Sequence, residues 1–217
     1  DGYTWLGDVA HTVSGWRTLG YADLGWEDFY GFYAASSPYV LFVSGNSPYQ
    51  TAQQLFDAMR GDPSMKWGNA GLGSINQLTG SLMLEKLGLK GNSVPYDGGR
   101  SAAIKVVAGE VTWSWCGLSD ILDLAQSGDI RILGICDSSP REIDCAKGNY
   151  TVPSLLDDYP ELSDLQGLLY WGFRVSRDTP ADAVAKIRDA FQSTVDSKER
   201  AQFCQTKGLE PAAIIGT

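Results

Sequence analysis

Short apolar runs alternate with amphipathic segments along most of the chain. Residues 39–43 read Tyr-Val-Leu-Phe-Val and stop at Ser-Gly-Asn-Ser-Pro, which predicts a buried strand followed by a turn. Thr51 with Gln54 three residues later has the pattern of a capping box, and it predicts a helix that stops at Gly61-Asp62-Pro63. The first unit of the pattern is therefore a strand followed by a helix.

The same alternation continues to the end of the chain. A helix is predicted from Ser74, with Ile75, Leu78 and Leu82 directed toward the core, and another from Gly98-Gly99 to Gly109. Alternating strands and helices favour an α/β architecture with a largely parallel sheet. The remaining predictions are strands at 111–116, 131–136 and 168–175, and helices at 121–126, 181–195 and after Ser197.

The composition is that of a globular protein with few basic residues. The 217 residues can form one large core or two modest ones, and 43% are hydrophobic. With 17 basic against 26 acidic residues, the formal charge is −9, and no cluster of Lys and Arg interrupts it. Such a surface repels a phosphate backbone, so nucleic acid is not expected as a partner.

No stretch approaches the roughly 20 apolar residues of a membrane-spanning helix. The opening Asp1-Gly2-Tyr3-Thr4 has neither a basic segment nor an apolar core. From the residues alone, the protein is either cytosolic or lacks its targeting segment.

The cysteines and the single histidine give little metal chemistry. The four cysteines include no Cys-x-x-Cys pair, and His11 alone cannot complete the usual zinc sets, so neither a metal nor a cofactor is expected. Cys136 and Cys145 bracket a short polar loop. They would form a disulfide if the chain is exported, or remain as buried free thiols, and the residues leave both possibilities open.

The sequence lacks the usual signatures of catalysis. A Ser-His-Asp set would have to use His11, and there is no Gly-x-Ser-x-Gly elbow. Gly71-Leu72-Gly73 begins like a dinucleotide fingerprint, but Asn76 stands where the third glycine belongs. The acidic residues are scattered on polar helix faces, as in solvated surfaces. We therefore do not expect an enzyme.

Two glycine-rich turns, at residues 68–74 and 96–99, each lie between an extended segment and the start of a helix. Glycines let a ligand approach the backbone, and the amide groups at a helix start hold an anion without any formal positive charge. A small carboxylate suits such a site. The same glycines also suit a tight strand-to-helix connection that binds nothing, and both interpretations stay open at this point.

These segments, in this order, resemble the receptor proteins of the tripartite tricarboxylate transporters, also called Bug proteins. No single segment is specific, but their order and spacing together are, and the similarity runs along essentially all 217 residues. The segments are Asp1–Thr4, Gly20–Phe29, Ser47–Ala52, Trp67–Ser74, Val94–Gly99, Ala108–Val111, Cys116–Leu118, Val152–Leu155 and Trp171–Phe173 ahead of Thr179-Pro180.

The resemblance implies an α/β fold of the periplasmic-binding-protein type II, with two α/β lobes and a ligand cleft between them. Lobe 1 would comprise residues 1–41 and 170–217 and be incomplete, and lobe 2 would comprise residues 42–169. The implied function is that of an extracytoplasmic or periplasmic receptor, expected to be monomeric. It would capture a small carboxylate and deliver it to the integral membrane permease subunits of the transporter.

The resemblance also implies the ligand contacts. The first turn would supply Asn69, Gly71, Gly73, Ser74 and Gln77, although Gln77 stands where many members carry His. Trp67 and Tyr96 would shape an apolar wall. The other implied contacts are Tyr96, Gly98 and Gly99 from the second turn, Cys116 from the strand that follows, and His11 from the first lobe.

Family members normally have a further strand and a glycine-rich loop before the Asp-Gly-Tyr-Thr segment, and a further helix after the position of Gly216. The resemblance therefore predicts that the chain is truncated at both ends, without a signal peptide. The main alternative is an effector-binding module of a regulator or sensor with the same two-lobed fold, which would carry a helix-turn-helix upstream. A small-molecule lyase or transferase on the same plan is a further alternative, testable by turnover after His11→Ala.

Overall fold

A computed structural model of the protein describes residues 2–10, 12–145, 148–166 and 169–216. The chain forms two compact units, the first made of Asp1–Ser37 with Leu168–Thr217 and the second of Pro38–Gly167. The boundaries that the resemblance implies, at 41/42 and 169/170, remain a prediction about the domains.

Strands and helices alternate along much of the chain. In chain order the elements are β1 (Leu6–Val9), α1 (Thr12–Leu19), β2 (Phe29–Ser36), β3 (Tyr39–Ser44), α2 (Ala52–Gly61), β4 (Lys66–Asn69), α3 (Ile75–Lys86), β5 (Asn92–Pro95), α4 (Gly99–Val107), β6 (Trp113–Gly117), α5 (Leu122–Ser127), β7 (Ile130–Ile135), β8 (Arg141–Ile143), β9 (Tyr150–Val152), α6 (Leu155–Asp158), β10 (Tyr170–Ser176), α7 (Ala181–Val195), α8 (Lys198–Lys207) and β11 (Glu210–Gly216). Short 3₁₀ helices span Trp26–Asp28, Leu118–Asp120 and Pro160–Leu165.

The first unit is built on an antiparallel sheet with the strand order β1-β10-β2-β11. Phe32 of β2 and Phe173 of β10 are paired across the strands, and their rings stack 5.1 Å apart. Phe191 of α7 meets Phe32 edge-on at 5.5 Å, so the helix covers this face of the sheet.

The second unit contains a five-stranded sheet with the order β5-β4-β6-β3-β7. β4 is parallel to β5 and β6, whereas β3 is antiparallel to β6 and to β7, so β3 alone runs against the other four. The prediction of a largely parallel sheet is therefore correct for the strand directions in the second unit and wrong for those in the first unit. Strand-helix-strand crossovers, which align strands, build the second unit, whereas the described strands of the first unit pair in antiparallel fashion.

Aromatic stacking fills the core of the second unit. Trp67 of β4 stacks on Trp113 of β6 with ring centroids 5.1 Å apart, and Tyr39 of β3 stacks on Trp115 at 5.3 Å. All four side chains are buried. Trp67 is thus a core residue rather than part of a ligand wall.

The helix α3 turns a different face to this core from the one that its apolar residues predict. Of Ile75, Leu78 and Leu82, the last two are 53% and 37% exposed, so the predicted orientation is wrong. The reason is Gly80: a Cβ at this position would lie 2.8 Å from the ring of Trp67, so the ring fills the place of the missing side chain. The buried residues of α3 are Asn76, Thr79, Gly80, Met83 and Leu84.

The predicted helix starts are confirmed, with one change in their detail. The Thr51 hydroxyl accepts the N–H of Gln54 at 3.2 Å, as in a capping box. The Gln54 side chain, however, accepts the N–H of Gln50 at 2.7 Å instead of reaching back to Thr51. The cap is therefore one-sided and still closes the first turn of α2.

The four cysteines are free thiols in this structure. Cys136 Sγ lies 3.6 Å from the carbonyl oxygen of Leu162 and Cys145 Sγ lies 3.5 Å from that of Ala125, so the two thiols face different partners. Within the part of the chain that the structure describes, no three His, Cys, Asp or Glu side chains are arranged to hold a metal ion. Nor does any described helix have the length and apolar character to cross a membrane.

Candidate ligand-binding site

The two glycine-rich turns meet at one edge of the sheet of the second unit. β4 and β5 are parallel neighbours, so the loops after Asn69 and after Pro95 leave the sheet at the same edge. The carbonyl oxygen of Asn69 accepts the N–H of Tyr96 at 2.9 Å. A Cβ on Gly71 would lie 3.5 Å from the carbonyl oxygen of Tyr96. The turns thus form one continuous surface at the carboxyl ends of the strands, where open α/β sheets bind ligands.

Side chains inside this surface hold the first turn in place. Asn69 is buried; its Nδ2 donates to Ser93 Oγ at 2.8 Å, and its Oδ1 accepts the N–H of Gly71 at 3.0 Å. Gln77 binds the same hydroxyl from the other side, with Nε2 3.1 Å from Ser93 Oγ, and its Oε1 accepts the N–H of Gly73 at 2.6 Å. The N–H groups of Gly71 and Gly73, for which the resemblance implies a ligand contact, are therefore engaged within the protein in this structure.

The beginning of α3 has hydrogen-bond donors that are free to bind a ligand, unlike the N–H groups of Gly71 and Gly73. Ser74 is the N-cap, and its Oγ accepts the N–H of Gln77 at 3.2 Å, which leaves the hydroxyl hydrogen available. The N–H groups of Ile75 and Asn76 precede the first intrahelical bond and have no acceptor among the described residues. Donors of this kind, at the positive end of a helix, suit a carboxylate.

The second glycine-rich turn places the beginning of α4 beside the first glycine-rich turn. Gly98 has φ +92°, a conformation that side-chain-bearing residues rarely adopt, and its own N–H donates to the carbonyl of Tyr96 at 3.1 Å. The N–H groups of Gly99, Arg100 and Ser101 have no acceptor within the described ranges. Two helix starts thus present unpaired amide donors at the same edge of the sheet.

The side chains of Tyr96 and Cys116 lie behind this surface. Tyr96 packs on Gly68, where a Cβ would lie 3.3 Å from its ring. Cys116 is fully buried under Gly99, 3.1 Å from the place of a Cβ there, and burial raises the pKa of its thiol well above the usual value. Both positions support the turns from below. His11 lies outside the described residues.

One charged residue beside this surface is not among the predicted contacts. Asp120 follows β6 in the 3₁₀ helix Leu118–Asp120, and its carboxylate occupies the space that a side chain on Gly99 would need. Loss of hydration raises the pKa of Asp120 to about 6, and nearby Arg100 offsets part of this rise. In the sequence Asp120 is one of many scattered acidic residues, and no local pattern distinguishes it.

A separate cavity of about 570 Å³ lies elsewhere in the second unit, lined by parts of α2, α5, β7 and β9. None of the predicted ligand residues that the structure describes lines it. Its arginine, Arg131, donates to the carbonyl oxygens of Gly45, Ser47 and Tyr49 at 3.0 to 3.4 Å. The guanidinium of Arg131 therefore stabilises the turn that follows β3. The amide donors that could bind an anion lie at the two glycine-rich turns instead.

Comparison with known sequences supports the family resemblance. The family model for the tripartite tricarboxylate transporter family receptor, TctC, matches residues 1–215. A protein from the tcbD–tcbE intergenic region of Pseudomonas sp. (strain P51) is 23% identical over 188 residues, which are 82% of this chain and 52% of that protein. The chain therefore spans about half the length of this curated relative.

Comparison with solved structures confirms the predicted α/β fold of periplasmic binding proteins. A structure described as a periplasmic transporter has a TM-score of 0.84 and 22% identity, covering 98% of this chain and 70% of its own. MatC from Rhodopseudomonas palustris, solved with bound malate, has a TM-score of 0.80 and 18% identity, covering 97% and 70%. The matching family is one of transporter receptors rather than of enzymes, as expected. The chain belongs to the tripartite tricarboxylate transporter receptor family.

Proposed function

We propose that this protein captures a small carboxylate outside the cytoplasm and delivers it to the membrane permease subunits of a tripartite tricarboxylate-type transporter. The observation that carries the proposal is the meeting of two helix starts, those of α3 and α4, at one sheet edge with unpaired amide donors. Family membership supports the receptor role, the extracytoplasmic location and the permease as partner.

Recognition of the carboxylate rests on local donors. The amides of Ile75 and Asn76 and the hydroxyl of Ser74 would receive one carboxylate, with the positive end of α3 behind them. The formal charge of −9 does not oppose this, because amide groups close to a desolvated ligand dominate the potential there. Asn69 and Gln77 act by holding the turn, so that its donors are placed before the ligand arrives.

A thermal-shift screen tests the binding function. The protein, expressed from its complete gene, is heated with a panel of mono-, di- and tricarboxylates, and at least one should raise the midpoint, because a ligand that binds only the folded state stabilises it. If no member of the panel raises the midpoint of thermal unfolding, the proposed capture of a carboxylate is refuted.

A pair of matched serine substitutions locates the site. Ser74 and Ser197 are both helix N-caps whose hydroxyls accept an N–H at 3.2 Å, Ser74 before α3 and Ser197 before α8. Replacing either with Ala should cost about 1 kcal/mol of stability through the lost cap. Only Ser74→Ala should also shrink the ligand-induced shift. Equal shrinkage in both variants would mean that the ligand does not bind at α3.

The transport role and the monomeric state are tested separately. Deleting the gene should abolish uptake of the radiolabelled ligand that the screen identifies, and restoring it should recover uptake. Light scattering on the purified protein should give the mass of one chain. Undiminished uptake in the deletion strain would refute the transport role while leaving ligand binding intact.

A further inference from the structure

Asp120 places a negative charge beside the beginning of α4, at one end of the proposed site. A side chain on Gly99 would collide with the Oδ2 atom of Asp120. Because residue 99 is a glycine, the carboxylate can lie directly against the first turn of α4. The carboxylate accepts no hydrogen bond from any described residue, and the surrounding structure removes part of its hydration. The α4 end of the site therefore carries an anion of its own beside its amide donors.

No described cation forms an ion pair with this carboxylate. Arg100 of α4 is the cation whose field reaches Asp120, but it forms a two-pronged ion pair with Asp123, with Nη2 2.8 Å from Oδ2. Its only bond to Asp120 goes to the backbone carbonyl, at 3.4 Å. Among the described residues, the other titratable groups in electrostatic contact with Asp120 are the buried thiol of Cys116 on β6 and the buried phenol of Tyr39 on β3, and neither is cationic.

The two ends of the site thus differ in their electrostatics. The α3 end, with Ser74, Ile75 and Asn76, offers donors and no nearby carboxylate among its hydrogen-bonded partners. The α4 end offers amide donors together with the unpaired acceptor oxygens of Asp120. An anionic group would be attracted at the first and repelled at the second, where a hydroxyl or amino group finds an acceptor.

We propose that Asp120 determines the specificity of the site, selecting solutes with one carboxylate and a hydroxyl or amino group at the far end, and excluding dicarboxylates at neutral pH. The inference rests on the proposed function, since it assumes that the ligand spans both turns. A fixed like charge is an effective way to reject a competitor that otherwise fits, because it penalises the wrong ligand without weakening the right one.

Titration calorimetry at pH 7.5 with matched ligand pairs tests this. Each pair has one chain length and exchanges a carboxylate for a hydroxyl: malonate and 3-hydroxypropanoate, succinate and 4-hydroxybutyrate, adipate and 6-hydroxyhexanoate. For the length that fits best, the hydroxy acid should bind at least about tenfold more tightly than the dicarboxylate, as expected for like charges in a partly desolvated site. The protein is expressed from its complete gene.

Two substitutions connect the preference to Asp120. Asp120→Asn keeps the shape and should tighten dicarboxylate binding by about tenfold or more, so that the preference within the pair falls away. Asp57→Asn, on the exposed surface of α2, makes the same change in net charge and should leave the preference unchanged.

The outcomes separate the two proposals. Dicarboxylates that bind wild-type protein as tightly as the matched hydroxy acids would overturn the role of Asp120 while leaving carboxylate capture standing. An unchanged preference in Asp120→Asn would overturn it as well. If no carboxylate of either kind binds, the proposed function itself fails, and the inference fails with it.

Discussion

Replacing Asp120 with Asn is expected to stabilise the folded protein at neutral pH, because it removes a carboxylate whose hydration is incomplete. An ordinary aspartate has a pKa of about 3.9, and burial raises that of Asp120 to about 6. A rise of this size costs the folded state up to about 3 kcal/mol when the group is ionised. Residual solvent screening and the partial burial of the new amide, which gains no described hydrogen-bond partner, reduce the expected gain to about 1–2 kcal/mol.

The pH dependence of this gain has a definite sign. Between about pH 4 and pH 6 the folded protein retains a proton on Asp120 that the unfolded chain releases, so the wild-type protein gains stability from this group as the pH falls through about 6. The amide of the variant does not titrate. The advantage of Asp120→Asn should therefore be full above about pH 7 and absent below about pH 4.

Urea unfolding of both proteins at pH 7.5 and pH 4.0 measures the difference. Asp123 supplies a control of opposite sign, since its hydrogen bonds to Arg100 lower its pKa. It contributes stability that is lost only as the pH falls below the ordinary aspartate value of about 3.9 and through the lowered pKa. Asp123→Asn should therefore destabilise the protein at pH 7.5, where Asp120→Asn stabilises it, and most of that loss should remain at pH 4.0. A loss of stability in Asp120→Asn at pH 7.5, or an equal gain at both pH values, would refute the reasoning.

Two further predictions concern the packing of α3. Gly80→Ala should cost about 1–3 kcal/mol, because the new methyl group would lie 2.8 Å from the ring of Trp67, whereas Gly61→Ala, with open space around it in α2, should be neutral or slightly stabilising in the same denaturation experiment. Trp115→Phe and Thr79→Val each break the buried hydrogen bond between Trp115 Nε1 and Thr79 Oγ1, 3.0 Å long, and a double-mutant cycle should give a coupling of about 0.5–1.5 kcal/mol. A coupling near zero would mean that the bond contributes nothing to stability.

Elements with strong local signals could be predicted from the sequence. The strand β3 has an apolar run that stops at a glycine-proline turn, and α8 has a serine cap at one end and Gly208 at the other. Each signal acts within a few residues and is independent of the rest of the fold. The orientation of α3 has no such signal. Its leucines are exposed because the broad ring of Trp67 requires a glycine opposite, and that requirement comes from another strand.

The site shows the same division between local and distant causes. The turn at Gly98 and the cap at Ser74 follow from residue types, and the structure contains both. The hydrogen bonds that hold the first turn cannot be predicted from residue types, because Ser93 lies 24 residues from Asn69 in the chain. Gln77 is predicted as a ligand contact; its bonds to Gly73 and Ser93 give it a structural part that no spacing rule indicates.

Asp120 and Asp123 show why charge patterns along a sequence do not determine the electrostatics of a site. They are three residues apart and look alike in the chain, yet burial raises the pKa of the first while Arg100 lowers that of the second. The difference comes from α4, which sets Gly99 against one carboxylate and Arg100 against the other. A net charge of −9 describes neither environment. If the ligand spans both turns, its far end meets a single fixed anion, and that one local charge decides between dicarboxylates and hydroxy acids more strongly than the rest of the surface.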